Sequence, residues 1–344
     1  MKTILITGGA GFIGSNFVRH LHDRYPTYRL IVLDALTYAG AVENLPPEFR
    51  DGENDQFVFW YGNVRNAELV DTLMDQSDAV VHFAAETHVT RSIYDNHLFF
   101  ETDVLGTQVI ANSVLKHLHR IERFIHISSS EVYGTARSPL MAEDHLLMPM
   151  SPYAAAKAGA DRLAYSYWET YGLPVVIVRP FNNYGSYQHL EKVVPRFITS
   201  CILDEPLRVH GDGRAARDWL YVEDTCEALD RILHVDIQSV QGETINLGCG
   251  VSHDIGTIAR LIVKKMGKPE TLITYIGDRP GQVFRHTAGI DKAARLLGWR
   301  PRMAFVDGLD KTIAWYRSSR PWWEKQLWMR SIPIVTTQGK RELH

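Results

Sequence analysis

Short apolar runs recur through the first half of the chain, each closed by glycine, polar or charged positions: Lys2–Thr7, Arg29–Asp34, Phe57–Tyr61, Asp78–Phe83, Phe124–Ile127 and Leu173–Val178. Runs this brief and this continuously apolar suit strands covered on both faces. Between them the apolar positions take helical spacing, from Gly14 to about His22, around Leu105–His117, and from Pro152 to about Tyr171. Strands alternating with helices imply right-handed crossovers, so the expected fold class is α/β with a doubly wound parallel sheet. From Phe181 the pattern changes to turns with scattered arginines. The expected division is a nucleotide-binding domain over 1–180, drawing also on part of 216–240. A smaller C-terminal, mainly substrate-binding domain covers 181–344.

The first strand runs into Gly8-Gly-Ala-Gly11-Phe12-Ile13-Gly14 and then a helix. Strand, glycine-rich turn and helix is the context of a Rossmann-like dinucleotide site: the glycines allow close backbone approach, and the helix start offers free N–H groups to a pyrophosphate. Asp34 closes the second strand about twenty residues past the turn, where an acid bonds a ribose 2′-hydroxyl and repels a 2′-phosphate. NAD is therefore expected over NADP. Asn63 and Val64 follow the third strand and suit an adenine contact, and small residues at Ala84 and Ala85 let the backbone approach the cofactor.

The stretch 127–157 carries the candidate chemistry. Ser128, Ser129, Ser130 and Glu131 sit where the fifth strand ends, the place where open parallel sheets bind ligands. Ser151 caps the next helix and Pro152 suits its first turn. Tyr153 and Lys157 are four apart on one helix face, and an ammonium near a phenol favours the phenolate. Tyr153 is thus a candidate base toward a sugar hydroxyl.

A chain of 344 residues with a net charge of -3 gives no electrostatic case for nucleic acid or an anionic membrane. No run is apolar enough to span a bilayer, and the first strand begins too early for a signal peptide. Cys201, Cys226 and Cys249 are too few and too scattered for a disulfide framework, and no metal site is expected. A reduced, cytoplasmic protein is the expectation. Trp315, Trp322, Trp323 and Trp328 crowd the tail and read as packing against the body. Arg214, Arg217, Arg279 and Arg285 lie beside turns and suit clamping a diphosphate.

Taken together, the chain resembles the extended short-chain dehydrogenases/reductases and, within them, the nucleotide-sugar 4,6-dehydratases, those acting on dTDP-glucose above all. The likeness rests on Thr7–Gly14, Leu36–Gly40, His82–Val89, Arg91–Ile93, Glu131–Gly134, Ser151–Tyr153 with Lys157, Asn182–Gly185, Glu191–Lys192, Arg217–Asp224 and Asp278–Gly281. It implies an internal redox cycle on a nucleotide-diphosphate sugar. Tyr153 takes the C4 hydroxyl proton as hydride passes to NAD, Lys157 bonds the nicotinamide ribose, and Ser129 bonds the same sugar oxygen. Glu131 takes the C5 proton, water leaves from C6, and hydride returns to C6. Thr87, Asn183, Glu191, Lys192, Arg217, Asn246 and Arg285 form the implied substrate-binding set, and a homodimer is implied through helices near 95–118 and 150–172.

Three positions depart from the family pattern. Ser130 stands where dTDP-glucose enzymes have the Asp that protonates the departing C6 hydroxyl; Asn63 replaces Asp, and Asp103 replaces Asn. The rival readings are a UDP-glucuronate decarboxylase, a C4-epimerase, which has no use for Glu131, and a non-catalytic NAD-binding regulator on the same fold.

Overall fold

The computed structural model describes residues 2–50, 55–278, 281–331, 333–335 and 341–343. Its strands are β1 (Thr3–Thr7), β2 (Arg29–Asp34), β3 (Phe57–Tyr61), β4 (Ala79–His82), β5 (Arg123–Ile127), β6 (Val175–Pro180), β7 (Asn182–Tyr184), β8 (Leu207–His210), β9 (Ala216–Tyr221), β10 (Thr244–Leu247), β11 (Ser252–Asp254) and β12 (Ile273–Ile276), followed by two short strands in the tail. Seven of them form one parallel sheet in the order β10-β6-β5-β4-β1-β2-β3. The fold is the doubly wound α/β class expected, and the strand order reverses between β1 and β4, where such sheets open a crevice.

Alternation explains how both faces are covered. Ile4 and Ile6 of β1 face one side and join a core with Phe17, Val18 and Leu21 of the helix Phe12–Arg24 and with Leu229 and Ile232 of the helix Val222–His234. Leu5 faces the other side, with Val70, Ile110 and Ala164 from the helices Ala67–Met74, Gly106–Lys116 and Pro152–Tyr171. The Pro152–Tyr171 helix has the expected ends: the Ser151 hydroxyl accepts from Ala154 N at 3.2 Å, and Gly172 closes it in the left-handed conformation at φ 70.

The sixth strand runs two residues later than the apolar pattern suggests, taking in Arg179 and Pro180. Arg179 tolerates this because Asp161 accepts from its Nε at 2.8 Å and from its Nη2 at 2.9 Å, leaving both side chains buried. The seventh strand, β10, has only four residues and pairs with β6 from far along the chain. The 222–247 segment thus returns to the sheet after the chain has begun its second core.

That second core gathers Val194, Phe197, Trp219, Ile258, Leu309, Ile313, Tyr316 and Trp323. The tail tryptophans divide: Trp323 is buried, Trp315 and Trp322 pack against this core, and Trp328 is exposed, contrary to the packing expected of it. Its neighbours 327–329 form only a single tight turn that presents no other buried side chain.

Candidate active site

A cavity of about 450 Å³ opens beyond the carboxyl ends of β1, β2, β4 and β5. Gly8, Gly11, Phe12, Ile13, Gly14, Asp34, Asn63, Val64 and Ala84 line it, together with Ser129, Ser130, Glu131, Tyr153 and Lys157. So do Thr87, Asn183, Glu191, Lys192 and Arg217. Asn246 and Arg285 do not. Asn246 is fully buried, accepts from Tyr133 Oη at 2.7 Å and donates to the Met141 carbonyl at 2.9 Å. Arg285 donates to the Ser138 carbonyl at 2.9 Å. Both tie the 133–145 loop to the body and lie outside the cavity. Arg214 is a surface residue paired with Asp212 at 3.3 Å. Arg279 lies outside the described residues.

The glycine turn fits a dinucleotide. Gly8 has φ 68, and a Cβ there would lie 2.5 Å from Ala84 N; a Cβ on Gly14 would lie 2.3 Å from the Gly8 carbonyl oxygen. Only glycine allows this packing. The helix that follows starts without a side-chain cap, so its first amides remain for a ligand anion. Asp34 accepts from Leu36 N at 2.8 Å and Ala10 N at 2.9 Å, which fixes its carboxylate on the cavity wall. Burial pushes that carboxyl up, and the two amides oppose the shift.

Tyr153, Ser129 and Lys157 converge from the Pro152–Tyr171 helix and the end of β5. The Ser129 hydroxyl accepts from Glu131 N at 3.2 Å and hydrogen-bonds Tyr153. Lys157 Nζ donates to the Ile127 carbonyl at 2.7 Å. The expected lowering of the Tyr153 pKa by Lys157 does not hold here. Burial pushes the phenol well above its ordinary value, the charges of Asp103 and Glu131 add to this, and only the Ser129 hydrogen bond opposes it. Burial also lowers Lys157, against the attraction of Asp103 and Asp161. Desolvation dominates both groups because both side chains are buried.

Asp103 is buried close enough to act on Tyr153 and Lys157 by its charge, in a π-helical turn over Phe100–Leu105 that precedes the Gly106–Lys116 helix. One of its oxygens accepts from Glu86 N at 2.8 Å. Burial pushes its carboxyl up to about 7, with Lys157 and the Glu86 amide opposing.

Glu131 faces a cluster that the sequence did not reveal. Its Oε1 lies 4.0 Å from Arg217 Nε and 4.0 Å from His286 Nδ1. His286 is fully buried, its Nε2 lies 2.6 Å from the Gly134 carbonyl oxygen, and its Nδ1 lies 3.4 Å from Ser130 Oγ. Burial lowers His286 to about 4, with Glu131 opposing.

Glu191 is already held by protein partners. Tyr38 Oη donates to it at 2.9 Å and Arg91 Nε at 3.3 Å. Burial alone would raise its carboxyl, but His88, Lys192, His189 and Arg91 hold it at about 2. Two further cavity-lining cations, Arg196 and Arg208, also escaped the sequence reading. Arg196 sits one helical turn past Lys192, and Arg208 shares a face of β8 with His210; both spacings were available.

The family model described as GDP-mannose 4,6 dehydratase matches residues 5–312. The chain belongs to this family. It is a nucleotide-sugar 4,6-dehydratase with the extended short-chain dehydrogenase/reductase fold. It is 42% identical over 325 residues to the dTDP-glucose 4,6-dehydratase of Streptomyces niveus, covering 93% of this chain and 94% of that one. It is 38% identical to the trifunctional UDP-glucose 4,6-dehydratase RHM2 of Arabidopsis thaliana, covering 94% of this chain and 48% of that one. The structure of DesIV, a dTDP-glucose 4,6-dehydratase from Streptomyces venezuelae solved with NAD and dTDP bound, superposes with a TM-score of 0.89 at 40% identity, covering 94% of this dehydratase and 99% of DesIV. Among the described residues no helix is long and apolar enough to cross a membrane.

Proposed function

We propose that this dehydratase converts dTDP-glucose to the 4-keto-6-deoxy sugar nucleotide with NAD retained through the cycle. The observation that carries this reading is the convergence of Ser129, Glu131, Tyr153 and Lys157 on the cavity that also holds the glycine turn and Asp34. The glycine turn, Asp34, Asn63, Val64 and Ala84 would hold NAD, with Lys157 toward the nicotinamide ribose. When bound, NAD supplies reversible hydride acceptance.

Tyr153 takes the C4 hydroxyl proton as its phenolate, a form that burial opposes and that the ammonium of Lys157 and the positive nicotinamide of bound NAD would favour, with Ser129 positioning the same oxygen. The C4 ketone acidifies C5, and Glu131 takes the C5 proton. Positioned bases of this kind contribute about 100- to 10,000-fold each. Thr87, Asn183, Lys192 and Arg217 line the sugar and phosphate part of the cavity, and Arg196 and Arg208 add to them. Arg196 is pushed down to about 10, by burial first and then by the like charges of Arg330 and Arg208. Such crowding of guanidinium groups suits a diphosphate.

The division of labour is a cofactor half, 1–180 with the returning 222–247 segment, and a substrate half around the second core. A homodimer is supported by exposed apolar side chains at Leu98, Phe100 and Leu105, on the helices expected to pair. A cytoplasmic location fits three unpaired cysteines.

The test is product mass from dTDP-glucose, UDP-glucose, GDP-mannose and UDP-glucuronate offered separately without added cofactor. Loss of one water, fastest from dTDP-glucose, is expected. Loss of carbon dioxide from UDP-glucuronate, or an unchanged mass throughout, overturns the reading.

A further inference from the structure

Elimination of water requires a proton on the departing C6 oxygen, and a serine hydroxyl alone is a poor acid. Ser130 is nevertheless the cavity-lining group that precedes Glu131, and it is backed by the buried His286. The imidazole has a defined orientation. Its Nε2 lies 2.6 Å from a carbonyl oxygen, Gly134 O, which can only accept, so Nε2 carries the hydrogen. Nδ1 is then the bare nitrogen, and it is the atom that faces Ser130 Oγ at 3.4 Å and Glu131 Oε1 at 4.0 Å. Phe181 packs edge-on against the ring at 6.0 Å and holds it there. Sequence separation hid this arrangement, because His286 lies 156 residues along the chain from Ser130.

We propose that His286 is the positioning residue that makes Ser130 the acid toward the C6 hydroxyl, by passing to it the proton that Glu131 removes from C5. This rests on the dehydratase reading. In the step, the C5–H bond breaks and its electron pair forms the C5=C6 double bond. Glu131 receives the proton and gives it to His286 Nδ1. The imidazolium gives a proton to Ser130 Oγ as the Ser130 hydroxyl proton bonds to the C6 oxygen. The C6–O bond breaks with its electron pair, and water leaves. One proton is taken from C5 and one departs in water, and Glu131, His286 and Ser130 end as they began. The lowered pKa of His286 fits a nitrogen that holds a proton only in passing. The proton returned to C5 later is balanced by the one Tyr153 took from C4.

The test compares two substrates in single turnovers: the nucleotide glucose with its C6 hydroxyl, and its 6-chloro-6-deoxy analogue, whose leaving chloride needs no proton. His286→Gln keeps a donor for the Gly134 carbonyl and lacks the Nδ1 base; His286→Phe keeps the ring volume. With the hydroxyl substrate both variants should oxidise C4 and exchange C5 hydrogen with deuterium oxide at the wild-type rate, and lose water about 100-fold more slowly. With the chloro substrate both should eliminate close to the wild-type rate, which separates a lost acid from a disturbed fold. Ser130→Ala should share this pattern. Unslowed water loss in both histidine variants, or equal slowing on both substrates, overturns the proposal and leaves His286 a packing residue. If the wild-type protein releases no water from any nucleotide sugar, the dehydratase reading itself falls, which is a separate result.

Discussion

The ammonium of Lys157 donates to the carbonyl oxygen of Ile127 at 2.7 Å, joining the Pro152–Tyr171 helix to the end of the strand that leads into Ser129 and Glu131. Lys157→Met removes the charge and leaves that carbonyl buried without its donor. The expected outcome is a fall in C4 oxidation of about 100-fold or more, read from nicotinamide absorbance in a single turnover. A loss of about 1–3 kcal/mol in urea unfolding should accompany it. Oxidation at the wild-type rate would separate Lys157 from the chemistry.

Tyr153 is held above the ordinary phenol pKa of about 10 by its own burial. A phenol whose folded value exceeds its unfolded value stabilises the fold below the unfolded value, and that stability is lost as pH rises through the folded value. Wild-type protein should therefore lose more stability than Tyr153→Phe as pH is raised above about 10. Ultraviolet difference titration of the two proteins without NAD should show Tyr153 ionising later than free tyrosine. A titration at or below that of free tyrosine would show that burial does not control this phenol.

Asp161 accepts from Arg179, Arg162 and the Ser128 hydroxyl, the last at 2.7 Å, and so fixes the first serine of the strand-end triplet. Burial alone would raise its carboxyl, but Arg179 and the other partners hold it far below the ordinary range. A depressed folded pKa gives stability that is present above the unfolded value and lost as pH falls through the folded one. Asp161→Asn should cost about 3–5 kcal/mol near neutral pH, as for any buried pair left with one member charged. The deficit should shrink in acid. A constant deficit across pH would mean that packing, not charge, is lost.

Under the proposed mechanism Tyr153 and Glu131 serve different steps, so their variants should fail differently. Tyr153→Phe should form no NADH. Glu131→Gln should oxidise C4, accumulate NADH, and lose deuterium exchange at C5, with turnover down about 100- to 10,000-fold. Normal dehydration by Glu131→Gln would remove Glu131 from the C5 step.

The first half of the fold was legible because each strand is a continuous apolar run followed by its helix, and Gly8 and Gly14, where a Cβ would meet backbone atoms, sit in the turn the pattern marked. What was hidden depends on partners distant in sequence. Arg179 read as the end of a strand because its charge is cancelled by Asp161, and β10 is too short to announce itself without β6 beside it. Asn246 and Arg285 matched the expected binding set by position, yet their side chains are spent on the Met141 and Ser138 carbonyls. Desolvation of Tyr153 could not be read from a spacing of four residues, since it depends on how the wall closes around the pair.

The most direct measurement of the central claim, an internal transfer of hydride from C4 to C6, uses dTDP-glucose deuterated at C4. The account predicts a product lighter by one water that carries the deuterium on its C6 methyl group, formed without added cofactor. Deuterium retained at C4, or released to solvent or to added NAD, would contradict it.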